Sequence, residues 1–301
     1  GQFPPAALRV ASGLADRPWY VDDPWSVAAS TPLAPNGSAL LVGTGLTAVD
    51  VAVAILEFSP GARVHLVSRR AQLPAPQRET PAYRDWLDPA DAPSRVGALM
   101  RLVRREVARA EAEGVSWRAV IDALKPHVPG LWARLPLVER RRFLRHARSY
   151  WEAHRNRLPP PTAARVADWT AEGRLVVHAG RLKALSDDGT GALATVAARG
   201  GGEAAWHVDR VINCTGPDTQ YRQITHPLVL DLIGTGLARP DPLGLGLDVA
   251  PDGRLKDEDG LAEQPLYTLG WPRQGQLWEA TTVPSLREQA RDVARRVLGG
   301  A

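Results

Sequence analysis

Residues 40–51, LLVGTGLTAVDV, constrain this chain more tightly than any other stretch. Gly43, Gly45 and Ala48 form a G-x-G-x-x-A turn between an apolar run, SALLV (38–42), and the helical pattern TAVDVAVAIL (47–56). A second apolar run, RVHLV (63–67), follows. Strand, glycine turn, helix and strand within about 30 residues describe a βαβ unit, normally part of a parallel sheet. In such a turn Gly43 permits the tight bend, Gly45 lets a phosphate approach the backbone, and Ala48 allows close helix–strand packing. Thr44, Leu46 and Thr47 add backbone N–H groups at the positive end of the helix, so Gly43–Ala48 read as a cradle for a pyrophosphate.

The same tetrapeptide, GTGL, recurs at 234–237 and tests that reading. There it runs into ARPDP, where Pro240 and Pro242 prevent a helix from starting. Only the first copy has both strand and helix. The nucleotide's identity follows from the end of the second strand, HLVSRR (65–70). An NAD site usually places a carboxylate there for the ribose 2′-hydroxyl. Ser68, Arg69 and Arg70 stand there instead and suit a 2′-phosphate, so NADP(H) is the expected cofactor. A charge-assisted hydrogen bond of about 1.5–3 kcal/mol favours NADP over NAD by roughly tenfold or more.

Three divisions are expected along the chain. Residues 1–37, with FPPA, DDPW and TPLAPNG, read as a connector wrapping over a surface. Residues 38–216 read as a Rossmann-like α/β domain with a helical insertion at about 81–160. In that insertion Ser94 is the expected cap of a helix reaching about Glu113, Ser116 of a second stopping before Pro126, and Leu137–Arg157 form a third. A helix over 162–172 and strands in RLVVH, GALATVAA and DRVINCT complete the domain. In residues 217–301, GLDVAPDGRL reads as a hairpin, LYTLG (266–270) as a strand, and Ser285 with Glu288 as the capping box of a final helix.

Composition excludes several classes. The chain has 301 residues, 44% hydrophobic and 23% charged, as expected of a globular protein. The apolar stretch from Ala39 to Leu56 is broken by two glycines, two threonines and Asp50, so no membrane span is expected, and no secretory leader opens the sequence. One cysteine, Cys214, precludes an internal disulfide and fits a reducing cytoplasm. The net charge is +4, and an arginine stripe (Arg141, Arg145, Arg148, Arg155) without a recognition motif does not indicate nucleic acid. No cluster has metal-ligand spacing. His146, Tyr150 and His154 recur every four residues, either on a substrate pocket or as one face of an amphipathic helix. The second reading is adopted, because His154 falls among Phe143, Ala147, Trp151 and Leu158.

The segment VINCTGP (211–217) resembles the strand-to-crossover segment of flavoproteins with two dinucleotide-binding domains, and GQFPPA (1–6) the matching outward crossing. LYTLGWPRQGQLWEATTVPSLREQA resembles the last strand and helix of their FAD domain. GTGLTAVD, VSRR, RRFLRHARSYWEAHRNRLPP, INCTGP and RPDPLGLGLDV together resemble a bacterial family of FAD/NAD(P)-binding oxidoreductases, distant relatives of flavin-dependent monooxygenases. The resemblance implies that residues 217–301 are the carboxy-terminal portion of an FAD-binding domain. It further implies that Thr215 and Gly216 lie at the crossover, and that Gly270, Glu279, Thr281, Thr282 and Val283 lie by the flavin. It departs from the family in lacking the amino-terminal FAD cradle, about 150 residues, so a missing FAD-domain segment is the expected partner. The implied reaction is reduction of FAD by NADPH, then use of the reduced flavin on oxygen, as in a monooxygenase, or on an organic acceptor. An NADP(H)-sensing module and a partner-docking domain remain as alternatives, and the substrate is open.

Overall fold

The computed structural model describes Phe3 and residues 5–299, which form two compact units. One holds residues 5–79 and Ser149–Pro217 and carries the sheet; the other holds Phe3, Thr80–Arg148 and residues 218–299.

The sheet unit has seven strands: β1 (Tyr20–Val21), β2 (Ser38–Val42), β3 (Arg63–Ser68), β4 (Leu175–Asp187), β5 (Ala192–Ala198), β6 (Glu203–Val208) and β7 (Arg210–Asn213). Their order is β1-β7-β2-β3-β4-β5-β6. From β1 to β4 every pairing is parallel, with Leu41 of β2 between Leu66 and Ile212. The first part of β4 pairs with β3, and from Gly180 onward it pairs antiparallel with β5, which in turn pairs antiparallel with β6. Both sheet faces are covered, which is why β2 reads as an unbroken apolar run rather than an alternation. Ala39, Leu41, Val64, Leu66 and Ile212 pack with Val49, Ala52 and Ile55 of the helix Leu46–Phe58 and Val166 of the helix Pro160–Ala171. On the other face Leu40, Val67 and Val211 pack with Trp19, Tyr20 and β5–β6 residues Val196 and Val208.

The βαβ unit is as expected. Within 1–37, however, expected to run as a connector, Trp19, Tyr20 and Val21 are buried and residues 20–21 form β1 beside β7. The strand β6 and the second part of β4 carry no sequence signal comparable to β2.

A histidine pair joins β3 to β4. His65 Nδ1 lies 3.0 Å from His178 Nε2, and His65 stacks on Trp206 at 5.4 Å and 8°. Burial, then His178 and Arg63, lower the His65 pKa from 6.5 to about 4, and burial lowers that of His178. The unfolded chain therefore binds more protons than the folded one between these values, and stability rises with pH. This contribution is complete above pH 6.5 and is lost as pH falls toward 4. Urea midpoints measured at pH 7.5 and 4.5 should differ, and His65→Phe should reduce that difference; an unchanged pH dependence would refute the assignment.

In the helix-and-loop unit the expected helices form, with different boundaries and caps. Residues 81–95 are not helical, and the first helix is Val96–Ala112. Ser94 does not cap it: the Val96 N–H donates to the buried Glu139 carboxylate at 2.9 Å. Ser116 does cap Trp117–Leu124, accepting from the Arg118 N–H. The third helix begins at Leu137, passes through a π turn at Phe143–Ala147 and ends at Arg155. Phe143 of that turn meets Trp278, which also packs against Trp132. Pro227–Gly234 is a helix with no counterpart in the sequence reading, and LYTLG forms only an isolated bridge, Arg254–Tyr267. The final helix starts at Val283, and Thr282, not Ser285, is its cap, accepting from the Ser285 N–H.

Candidate functional site

The sheet order reverses at β2, with β3 on one side and β7 on the other. In parallel sheets a ligand crevice opens outside the carboxyl ends at such a reversal. Three loops meet this description: Gly43–Ala48 after β2, Arg69–Ala71 after β3 and Cys214–Gly216 after β7.

Gly43 leaves β2 with φ 138°. Its N–H bonds the Val67 carbonyl at 2.9 Å, and a Cβ on it would lie 2.2 Å from the Cys214 carbonyl oxygen. No side chain fits there. Gly45 is the residue before the helix Leu46–Phe58, and a Cβ on it would meet nothing within 4 Å. No side chain caps this helix end. Its first N–H groups, at Leu46, Thr47 and Ala48, thus have the positive end of the helix and open space above Gly45, which fits a pyrophosphate.

Thr44 and Ser68 face each other rather than outward. Thr44 is buried, and its hydroxyl donates to Ser68 Oγ at 2.9 Å. Ser68 Oγ also accepts the Ala71 N–H at 3.1 Å, closing a turn in which Ala71 has φ 52°. The two loops are therefore fastened together. The arginines divide: Arg69 is exposed, whereas Arg70 is half-buried, donates to Ser149 Oγ and lies 5.0 Å over the Tyr150 ring.

After β7, Asn213 is fully buried and accepts the Thr215 hydroxyl at 2.7 Å. Its amide donates to the Ala6 carbonyl and to Asp22, each at 3.0 Å. Asp22 also accepts the Tyr20 phenol, whose pKa is raised by burial and then by this carboxylate. This network holds the exit at Thr215 and Gly216, where φ is 95°. Burial pushes the Cys214 thiol up to about 12, so it is a packing group and not a nucleophile.

The second set of expected residues lies in the other unit. Tyr267–Pro272, Thr281 and Leu286 line an open pocket of about 700 Å³. Gly270 and Thr281 are thus brought to one cavity, with Thr282 capping the adjacent helix and Val283 80% exposed at its start. Glu279 follows the buried Trp278 and is half-buried. Behind the pocket, the buried Gln289 accepts the Gly270 N–H at 2.9 Å.

Sequence reasoning missed Ser149, Tyr150 as a support for Arg70, Asn213 and Gln289, each of which serves a segment distant in sequence or across a loop. His154, expected to be partly buried, is exposed, and its Nδ1–H donates to the Tyr150 carbonyl at 2.7 Å. Among the described residues no group of three or more His, Cys, Asp or Glu side chains is placed to hold a metal, and no helix is long and apolar enough to cross a membrane.

No protein-family model and no curated protein matches the chain. Solved structures do. The ornithine hydroxylase of Pseudomonas aeruginosa is 16% identical with a TM-score of 0.60, over 100% of this chain and 60% of that one. The L-lysine 6-monooxygenase of Pseudomonas syringae is 15% identical with a TM-score of 0.58, over 99% and 61%. The Kutzneria sp. 744 ornithine N-hydroxylase, in its form with reduced FAD, NADP+ and L-ornithine, is 14% identical with a TM-score of 0.51, over 87% and 54%. The chain has the fold of these monooxygenases. At these identities the likeness is one of fold, and the chain spans about 60% of the length of the first two. The expected Rossmann-like α/β architecture is present, and it is the one these enzymes use.

Proposed function

We propose that this chain supplies the NADPH site and one side of the flavin site of an FAD- and NADPH-dependent oxidoreductase of the monooxygenase kind. The observation that carries the proposal is the uncapped helix end above Gly45, set at the sheet reversal in a fold shared with NADPH- and FAD-using monooxygenases. The Leu46, Thr47 and Ala48 N–H groups would hold the pyrophosphate. Arg69 would hold the 2′-phosphate, with Arg70, fixed by Ser149 and Tyr150, adding positive charge beside it. The pocket of Gly270 and Thr281 would take one side of the flavin. NADPH and FAD, when held by these residues, would supply the hydride-transfer chemistry. The residues named here bind and orient. Leu269 and Leu286 give the pocket apolar surface. A single buried cysteine is compatible with a reducing cytoplasm.

Titrating the purified chain with NADPH and NADH tests the first half of the reading. NADPH should bind at least about tenfold more tightly, and equal or absent binding of both would remove it. Adding FAD to the chain, with an FAD-binding domain of this fold supplied in trans, should give a yellow protein; a colourless one would remove the flavin half.

A further inference from the structure

The pocket lined by Tyr267–Pro272, Thr281 and Leu286 has walls from separate segments, and one buried side chain grips both. Gln289 is 4% exposed. Its Oε1 accepts the Gly270 N–H at 2.9 Å, while its Nε2 donates to the Ala280 carbonyl at 2.7 Å and to Ser285 Oγ at 2.9 Å. Gly270 is one wall, and Ala280 immediately precedes Thr281 on the other. Ser285 belongs to the first turn of the helix whose Leu286 completes the lining. Because the oxygen meets a donor and the nitrogen meets acceptors, the carboxamide can face only one way. Gly270 itself, at φ 76°, has Leu286 close enough that a Cβ would come within 3.2 Å of it. One amide thus ties the two walls to each other.

We infer that Gln289 is the positioning residue of this pocket, fixing the separation of the Gly270 and Thr281 walls so that a flat, polar-edged heteroaromatic ring, the flavin ring, is seated between them. This rests on the proposed function for the identity of the ring, but not for the clamp. The lining suits such a ring: Leu269 and Leu286 offer apolar surface, Tyr267 and Trp271 aromatic faces, and Thr268 and Thr281 hydroxyls for its polar edge. Gln289 touches no ring atom and acts through the backbone of both walls.

Two substitutions in the full chain test it. Gln289→Leu removes both ends of the clamp. Gln289→Glu keeps an acceptor for Gly270 but sets a carboxylate against the Ala280 carbonyl, unless the carboxyl is protonated. Gly270 amide exchange should accelerate about tenfold in Gln289→Leu, the loss of one net hydrogen bond. In Gln289→Glu it should be near wild type at pH 5 and faster at pH 8, after correction for intrinsic exchange. Riboflavin, the ring without its nucleotide, should bind the variants about tenfold more weakly under the same conditions, with Gln289→Glu recovering at pH 5. Unchanged Gly270 exchange in both variants would overturn the clamp. If wild type and Gln289→Leu take up riboflavin equally, the seat fails while the proposed function stands. If wild type takes up none, the flavin half of the proposed function falls and the seat with it.

Discussion

Gly45→Ala should leave the fold intact and cost the chain its NADPH, whereas Gly43→Ala should cost it the fold. The two glycines stand two residues apart in one turn, but their surroundings are opposite. A methyl group at Gly45 meets nothing within 4 Å, and its φ of −78° suits any residue. It would, however, project into the space through which phosphate oxygens must reach the helix N–H groups. NADPH affinity should fall by at least about tenfold, the equivalent of one lost charged hydrogen bond, while Tm moves by only a few degrees. At Gly43 the same methyl would need to occupy a point 2.2 Å from the Cys214 carbonyl oxygen at φ 138°. A non-glycine residue in that region is strained by about 1–3 kcal/mol before any overlap. Total stability of domains is only about 5–15 kcal/mol, so poor soluble yield or a Tm drop of ten degrees or so is the expected result. Thermal melts and NADPH titrations of both variants, side by side, check it. Equal behaviour of the two would show that the turn does not divide its roles in this way.

Arg69→Ala should weaken NADPH by about ten- to hundredfold and leave NADH binding nearly unchanged. Arg69 is the exposed arginine at the end of β3, and Arg70 is engaged by Ser149 and Tyr150. The loss should therefore exceed that from Ser149→Ala, which only loosens Arg70. The effect should shrink with added salt, because an exposed cation facing a phosphate is screened. A parallel loss of NADH and NADPH would show that Arg69 acts on the loop rather than on the 2′-phosphate.

The parts of this molecule legible in its sequence are those whose cause is local. SALLV and RVHLV announced buried parallel strands because a sheet covered on both faces needs apolar residues throughout. The glycine turn was legible because only its first copy runs into a helix. β1 was not: two residues make no periodicity, and its pairing partner β7 lies about 190 residues later in the chain. Helix ends were displaced for a similar reason. Ser94 and Ser285 are good capping residues, but the Val96 N–H is met by Glu139 from another helix, and Thr282 turns the backbone three residues before Ser285. In the site, SRR marked the two arginines proposed to meet the 2′-phosphate. It could not show that one is fastened by Ser149 and Tyr150, a contact 79 residues away for Ser149. Nothing local marked Gln289: its burial comes from the Gly270 and Ala280 segments that close over it.

The latch from Thr44 through Ser68 to Ala71, together with the grip on Arg70, has a thermodynamic consequence. Immobilising a rotamer-rich side chain on association costs about 0.5–1.5 kcal/mol, and freezing a loose loop costs more. Here folding has already met most of that entropy loss before any dinucleotide arrives. Of the two arginines in the loop after β3, Arg69 is the one that still has its freedom to surrender.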